Sequence, residues 1–175
     1  MPNGNEEEFV LMAKRLGYNS ICFVYTLSGV KKNEIKDFKV YTAVLEQKNF
    51  DKAKQTADFV IAKAGEDVRN IIERGKVDFI YGFEESAKRD SINHRNSGMN
   101  QVLCKLMNGK NISYLVNLTE LIFSKDPQIL GRIMQNIRFC NKFKVKISFG
   151  SFASSPLEMK AANDVISLMK VLGGK

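Results

Sequence analysis

The sequence predicts a single α/β domain built on a parallel sheet. Six apolar segments of strand length alternate with segments of helical periodicity along the 175 residues, and no two strands are joined by a hairpin signal. Parallel strands need crossover connections, so this order favours either an α/β barrel or a doubly wound open sheet. No glycine-rich phosphate loop follows any strand, which argues against a nucleotide-binding open sheet. We expect residues 1–175 to form one domain.

The first half of the chain is predicted to contain two helices and four strands. A helix over 6–16 begins with three glutamates and ends before Gly17, the arrangement that the helix dipole and a glycine cap favour. Ser20–Leu27 is apolar almost throughout, which predicts a strand covered on both faces. The remaining elements of this half are the strands Phe38–Glu46, Ala57–Ala64 and Val77–Glu84, with a helix over 65–75.

The second half is predicted to contain three helices and two strands. A helix over 97–110 carries an apolar stripe, and Asn96 or Ser97 is expected to cap its start. Pro127 suits the first turn of the next helix. The other elements of this half are the strand Ile112–Leu118, a helix over 127–143, the strand Val145–Phe152 and a helix over 157–172.

Composition narrows the class of protein. The chain is 44% hydrophobic and 26% charged, which is enough apolar material to bury a core. Its apolar runs do not much exceed Ile21–Tyr25, too short to span a membrane, and the acidic start resembles no secretory signal. Cys22, Cys104 and Cys140 are widely spaced without a CxxC pair. They predict reduced, partly buried thiols in a cytoplasmic protein rather than disulfides or a zinc site.

Positive charge is concentrated in one half of the chain. The formal net charge is +8, and residues 86–175 hold 14 basic against 5 acidic side chains, whereas residues 1–85 hold 13 against 14. Such an asymmetry is typical of a protein with a nucleic-acid partner. A generally basic soluble protein is the alternative that charge alone leaves open.

The sequence contains few residues that could carry out catalysis. Function in parallel α/β folds gathers at the carboxyl ends of strands, where Glu46 and Glu84 could form an acid/base pair or hold a divalent cation. A metal-dependent phosphoesterase would need several His and Asp ligands there, but the single histidine, His94, lies in a polar loop. No Ser–His–Asp arrangement or GxSxG elbow occurs. We therefore expect no catalytic residue and no metal ligand, with the Glu46–Glu84 phosphoesterase as the alternative.

Basic and polar side chains instead crowd the loop and helix start that follow Val77–Glu84. Helix-start N–H groups beside arginine and asparagine make a natural cradle for phosphate. The candidate RNA-binding residues are Lys63, Lys88, Arg89, His94, Arg95, Asn96, Ser97, Asn100, Arg132 and Arg138. Lys142 and Lys144 are interpreted as a solvated helix face. No RNA-stacking motif occurs, so contacts to the RNA backbone and shape are expected rather than base readout.

Three sequence blocks resemble ribonuclease P protein component 3, a family of archaea and eukaryotes. The blocks are SGMNQVLCKLM, RFCNKFKVKI and ASSPLEMKAANDV, which are similar to the family's SGLNHVLAKLA, RxARKYKVP and SPLELRSPRDL patterns. The resemblance covers residues 5–173, and the blocks are specific as a set. Two departures stand out. The chain opens directly on its first helix, where the family usually begins with an FxDLxV strand, and Gln101 replaces the family's histidine.

The resemblance implies a fold and a function. The fold is a TIM-barrel-like relative of the polymerase-and-histidinol-phosphatase hydrolases without their metal ligands, here incomplete at its first strand, with Ser20–Leu27 as a sheet edge. The function is that of a non-catalytic subunit of ribonuclease P, an endoribonuclease whose RNA, with bound Mg²⁺, removes 5′ leaders from precursor tRNA. The chain itself is expected to bind no cofactor.

The resemblance also implies partners and a location. The partners are ribonuclease P RNA, precursor tRNA in the holoenzyme, the ferredoxin-like protein component 2 and other ribonuclease P proteins. A cytoplasmic location without a membrane partner is expected. A purely protein-binding scaffold is a third reading, which RNA retention at raised salt would separate from the first.

Overall fold

The computed structural model describes Pro2 and residues 4–31, 35, 37–85, 90–91 and 95–174. The strands are β1 Ser20–Thr26, β2 Lys39–Leu45, β3 Phe59–Lys63, β4 Phe79–Tyr81, β5 Ser113–Asn117 and β6 Ile147–Gly150. The helices are α1 Glu6–Arg15, α2 Phe50–Thr56, α3 Val68–Arg74, α4 Gln101–Gly109, α5 Leu118–Phe123, α6 Gln128–Phe143 and α7 Ala162–Val171.

The six strands form one parallel sheet in the order in which they occur along the chain. Sequential order is the connectivity of an α/β barrel, whereas a doubly wound sheet reverses its order partway across. In the described part of the chain, β1 and β6 do not pair with each other, so the sheet remains an open half-barrel. The predicted α/β barrel class is confirmed, and so is the prediction that Ser20–Leu27 contributes an edge strand.

Both faces of the sheet are apolar. Successive side chains of a strand point to opposite faces, and apolar residues occupy both sets of positions. On the outer face, Val60, Ile80 and Val116 pack against the helices in the largest hydrophobic cluster. On the inner face, Ile61 and Leu115 join a smaller cluster, and the concavity encloses a cavity of about 340 Å³. That cavity is lined by residues of all six strands, as expected of the interior of an incomplete barrel.

The open side of the half-barrel is crossed by residues 151–161. After β6 this segment runs to α1, where the Tyr18 hydroxyl donates to the Lys160 carbonyl at 2.9 Å. The Ala162 N–H donates to the Leu16 carbonyl at 3.0 Å, and Met159 packs against the apolar cluster around Phe9. The segment contains a 3₁₀ turn at Pro156–Glu158 and no strand. The two edges of the sheet are thus connected by tertiary contacts rather than by a ladder.

Several predicted boundaries are wrong for identifiable reasons. The strand predicted to reach Glu84 ends at Tyr81, because Gly82 adopts φ +78° and starts a 3₁₀ turn. The helix predicted from Ser97 begins at Gln101, because the Asn100 side chain accepts a hydrogen bond from the Leu103 N–H at 2.9 Å and caps it. Neither Asn96 nor Ser97 is therefore the cap.

Other differences concern elements that sequence patterns described incompletely. The strand β1 is not covered on both faces, since Phe23 and Tyr25 are buried while Cys22 is exposed. Helices α2 and α5 were not predicted, and both are short. The last predicted helix divides into the 3₁₀ turn Pro156–Glu158 and α7. No helix within the described ranges is long and apolar enough to cross a membrane.

Candidate nucleic-acid interface

The segment that leads into α4 lies along helix α6 and is fastened to it by hydrogen bonds. The Asn136 side-chain amide donates to the Ser97 carbonyl at 2.9 Å, and the Gln135 amide donates to the Arg95 carbonyl at 3.4 Å. The Arg95 guanidinium donates from Nη1 to the Gly131 carbonyl at 3.0 Å. Gly131 lies about one helical turn before the adjacent Gln135 and Asn136, so the segment follows α6 over that turn.

Gly131 makes the close approach of Arg95 possible. A Cβ atom built at this position would lie 2.9 Å from Arg95 Cζ, closer than real Cβ contacts come. The guanidinium therefore rests directly on the helix backbone, with half of its side-chain surface still exposed. A larger residue at position 131 would displace the Arg95 guanidinium from its contact with the backbone of α6.

Arg132 lies beneath the segment and is 1% exposed. Its Nε donates to Asp90 Oδ1, its Nη1 to the Glu84 carbonyl and its Nη2 to Gln128 Oε1, each at 2.9 Å. A guanidinium so enclosed has no surface to offer to a phosphate. The prediction that Arg132 binds RNA is therefore corrected, and the structure gives Arg132 a structural role in joining the end of β4 to the loop and α6.

Asp90 is the point where these contacts converge. Its Oδ1 also accepts from the Asn96 N–H at 2.9 Å, its own N–H donates to Gln128 Oε1 at 3.1 Å, and Arg95 Nε lies 3.9 Å from its Oδ2. Burial alone would raise the pKa of Asp90, but the Asn96 N–H and the Arg132 guanidinium outweigh it and lower the pKa. The carboxylate is thus held in its charged form.

The two glutamates of the alternative phosphoesterase do not form a site of the expected kind. Glu84 is fully buried, where desolvation raises its pKa and the Tyr114 hydroxyl donates to its Oε2 at 2.9 Å. Glu46 Oε1 accepts from the N–H groups of Gln47 and Lys48. Within the described ranges, no group of three or more His, Cys, Asp or Glu is placed to hold a metal ion. This geometry gives the phosphoesterase hypothesis no support.

A line of cations follows one face of α6. Positions 131, 135, 138 and 142 are separated by four, three and four residues, which places them on a single helical stripe. Arg95 rests on Gly131, and Arg138 and Lys142 are exposed further along. We call Arg95, Arg138 and Lys142 the basic stripe; from Gly131 to Lys142 it extends about 16 Å at the rise of an α-helix. The sequence of α6 contains no acidic residue.

The remaining predicted RNA-binding residues occupy different positions. Lys63 ends β3, pairs with Glu85 Oε2 at 2.5 Å and lies over the Tyr81 ring; hydrogen bonding to Glu85 raises its pKa. Ser97 is buried, and Asn100 is exposed at the start of α4. Lys88, Arg89 and His94 lie outside the described residues. The structure thus brings Arg95, Asn96, Ser97 and Arg138 to α6 and leaves Lys63 at the end of β3.

Sequence reasoning missed the residues that hold this surface together: Asp90, Gln128, Gly131 and Asn136. One signal was available for α6. Arg132 and Asn136 follow the buried Ile129 by three and seven positions, which puts both on the core face of the helix. Polar residues on a core face are normally satisfied by internal hydrogen bonds. No comparable signal distinguished Asp90 from other loop residues.

Fold and site together define an open parallel half-barrel that carries a basic helical stripe at one end. Neither a protein-family model nor a curated protein matches the sequence. Among solved structures, a chain of the cryo-EM structure of archaeal ribonuclease P with mature tRNA matches with a TM-score of 0.76 and 20% identity, covering 96% of this chain and 79% of that chain. The protein therefore shares its fold with a chain of archaeal ribonuclease P.

Two crystal structures match less well. An uncharacterized protein gives a TM-score of 0.43 at 14% identity, covering 98% of this chain and 44% of its own. A prolidase complexed with N-methylphosphonate-L-proline gives 0.42 at 15% identity, covering 98% and 43%.

Proposed function

We propose that this chain is a non-catalytic protein subunit of a ribonuclease P ribonucleoprotein. The observation that carries the proposal is the fold shared with a chain of archaeal ribonuclease P over 96% of the present chain. The three sequence blocks that resemble ribonuclease P protein component 3 also support it; they cover the start of α4, the end of α6 with the approach to β6, and residues 153–165 of the crossing and α7. Removal of 5′ leaders from precursor tRNA would be performed by the RNA with its own Mg²⁺.

The basic stripe is the surface on which RNA binding rests in this proposal. Arg95 and Arg138 are exposed cations along one face of α6, and Asn100, also exposed, caps the N-terminus of α4. Such a surface suits phosphates of a folded RNA better than individual bases, because cations and N–H groups recognise the backbone without reading sequence. Lys88, Arg89 and His94 lie outside the described residues and remain candidate RNA-binding residues on the sequence alone.

The proposed partners are ribonuclease P RNA, precursor tRNA in the assembled enzyme, protein component 2 and other ribonuclease P proteins, in the cytoplasm. The protein would act by helping the RNA to fold and work under moderate salt. Cationic side chains would do this by neutralising RNA phosphates that otherwise repel one another.

Reconstitution tests the proposal. Ribonuclease P RNA and component 2 are assayed for cleavage of precursor tRNA at moderate Mg²⁺, with and without this chain, and we expect efficient cleavage only with it. The chain alone should leave precursor tRNA intact. No stimulation would contradict the subunit function, and RNA-independent phosphodiesterase activity with stoichiometric Mn²⁺ or Zn²⁺ would establish the phosphoesterase instead. Loss of RNA at modestly raised salt, with retained component 2, would favour a protein-binding scaffold.

A further inference from the structure

The position of Arg95 depends on an interaction that is hidden from solvent. Arg132 uses all three nitrogens of its guanidinium, at 2.9 Å each, on three separate parts of the molecule. The three acceptors are the Glu84 carbonyl just beyond the end of β4, the Asp90 carboxylate in the loop, and the Gln128 side chain in the first turn of α6. A planar guanidinium with three directed bonds fixes orientation as well as distance.

Asp90 transmits this orientation to the surface. Its carboxylate holds Arg132 on one side and receives the Asn96 N–H on the other, with Arg95 Nε 3.9 Å away. Because Asn96 adjoins Arg95 in the chain, a fixed Asn96 backbone limits where the Arg95 guanidinium can rest. The Asp90 side chain is 20% exposed, so its carboxylate lies close to the surface.

We propose that Asp90 and Arg132 are positioning residues for RNA binding, which set Arg95 on the basic stripe and do not contact RNA themselves. This inference rests on the proposed function of the chain. According to this inference Asp90 supports RNA binding, although the negative charge of its carboxylate alone would weaken binding to a phosphate backbone. An aspartate near phosphates repels them, so removing its charge should strengthen binding unless the carboxylate is needed to order the cation.

The sign of the effect of Asp90→Asn therefore separates the two roles. We expect the affinity of the full chain for ribonuclease P RNA to fall about tenfold, the scale of one lost charge-assisted hydrogen bond. The slope of log affinity against log salt should also flatten by about 0.7–0.9, because Arg95 no longer holds its phosphate. The control, Glu66→Gln, removes an exposed acidic charge outside the basic stripe, and its affinity should stay within about twofold of wild type.

A double substitution tests whether Asp90 acts through Arg95. If it does, Asp90→Asn combined with Arg95→Ala should bind RNA no more weakly than Arg95→Ala alone, because the second change removes what the first one positions. A merely structural role would instead add its effect to that of Arg95→Ala, and a lower melting temperature is expected in either case because Asp90 pairs with a buried arginine. Circular dichroism melting of every variant accompanies the binding measurements.

The outcomes distinguish this inference from the proposed function. Wild-type binding with equal or tighter binding by Asp90→Asn overturns the inference and leaves the subunit function standing. Failure of the wild-type chain to bind ribonuclease P RNA overturns both. If Asp90→Asn does not fold, Gln128→Ala decides, because it removes the acceptor shared by the Asp90 N–H and Arg132 Nη2. Weaker RNA binding by folded Gln128→Ala supports the inference, and unchanged binding overturns it.

Discussion

Two regions of the molecule, one around β5 and α6 and the other around β1, are stabilised in different ways. Around β5 and α6, the helix is packed on a continuous core that includes the fully buried Ile133, Ile137 and Cys140, and a loop is fastened to it by directed polar bonds. Around β1, the sheet ends at an edge strand with one exposed cysteine, beside a cavity that the strand only partly covers. The comparison indicates that the precise placement of surface charge belongs to the well-packed region around α6, whereas the region around β1 is packed less completely.

The largest expected effect tests this contrast with matched substitutions. Ile137→Ala removes a fully buried side chain from α6, and we expect a loss of about 2–5 kcal/mol in the free energy of unfolding. Ile21→Ala, at a half-buried position of β1, should lose clearly less, because it leaves a smaller new void in a region already open. Urea denaturation of both variants measures the difference. Equal losses would show that the two ends are packed equally well.

The edge strand predicts self-association. Among the described strands β1 pairs only with β2, and strands at the edge of a sheet promote association with another chain. We expect sedimentation to show concentration-dependent association of the isolated protein, relieved by component 2 or an added N-terminal strand. Cys22→Lys, which places a charge on the edge, should reduce association several-fold. A stable monomer at high concentration, with Ile21–Tyr25 amides protected from hydrogen exchange, would mean that the edge needs no partner.

A pH-dependent contribution to stability is expected at the well-packed end. Desolvation raises the folded-state pKa of Glu84, so its protonated form stabilises the fold. That contribution is fully present below the unfolded-state pKa and is lost as the pH rises through the folded-state pKa. Glu84→Gln should therefore be more stable than wild type at pH 8, with the gap closing on acidification. Parallel melting curves from pH 4 to 8 test this, and a constant gap would contradict it.

The smallest expected effect concerns single cations on the basic stripe. Arg138→Ala removes one exposed charge from α6 and should flatten the slope of log RNA affinity against log salt by about 0.7–0.9, without changing the melting temperature. The double change Arg89→Ala with Arg95→Ala should flatten it further. Binding isotherms at four salt concentrations give the slope. An unchanged slope in the double variant would show that this loop does not contact RNA.

Much of the fold could be predicted because hydrophobic periodicity reports it directly. Ser20–Thr26 and Ser113–Asn117 were recognisable as strands, and the long α6 as a helix. The short helices were missed because their signals are weak or merged: the apolar residues of Leu118–Phe123 continue those of β5 without a break. The end of β4 depended on one glycine with positive φ, Gly82, a conformation that no sequence pattern stated.

The site was less predictable because sequence identifies charge but not its partners. Arg95, Arg132 and Arg138 were picked out together as candidate cations, and in the structure Arg95 and Arg138 are exposed whereas Arg132 is buried. What separates them is the tertiary contact with Asp90 and Glu84, residues more than 40 positions away along the chain. The helical period indicates that Arg132 faces the core, but it does not identify the residues that α6 meets there, and these long-range partners are what the sequence left unpredicted.

The 151–161 crossing has a consequence for how the molecule folds and opens. Each strand pairs with its sequence neighbour, so the sheet can grow through contacts of modest separation, whereas the Tyr18–Lys160 hydrogen bond joins residues 142 positions apart. Closing so long a loop carries the largest chain-entropy cost in the fold, and it is recovered only after the sheet exists. We therefore expect the curvature of the half-barrel to be fixed late during folding. We also expect it to be released early in the native state, through an opening that exposes the inner cavity while the region around α6 stays intact.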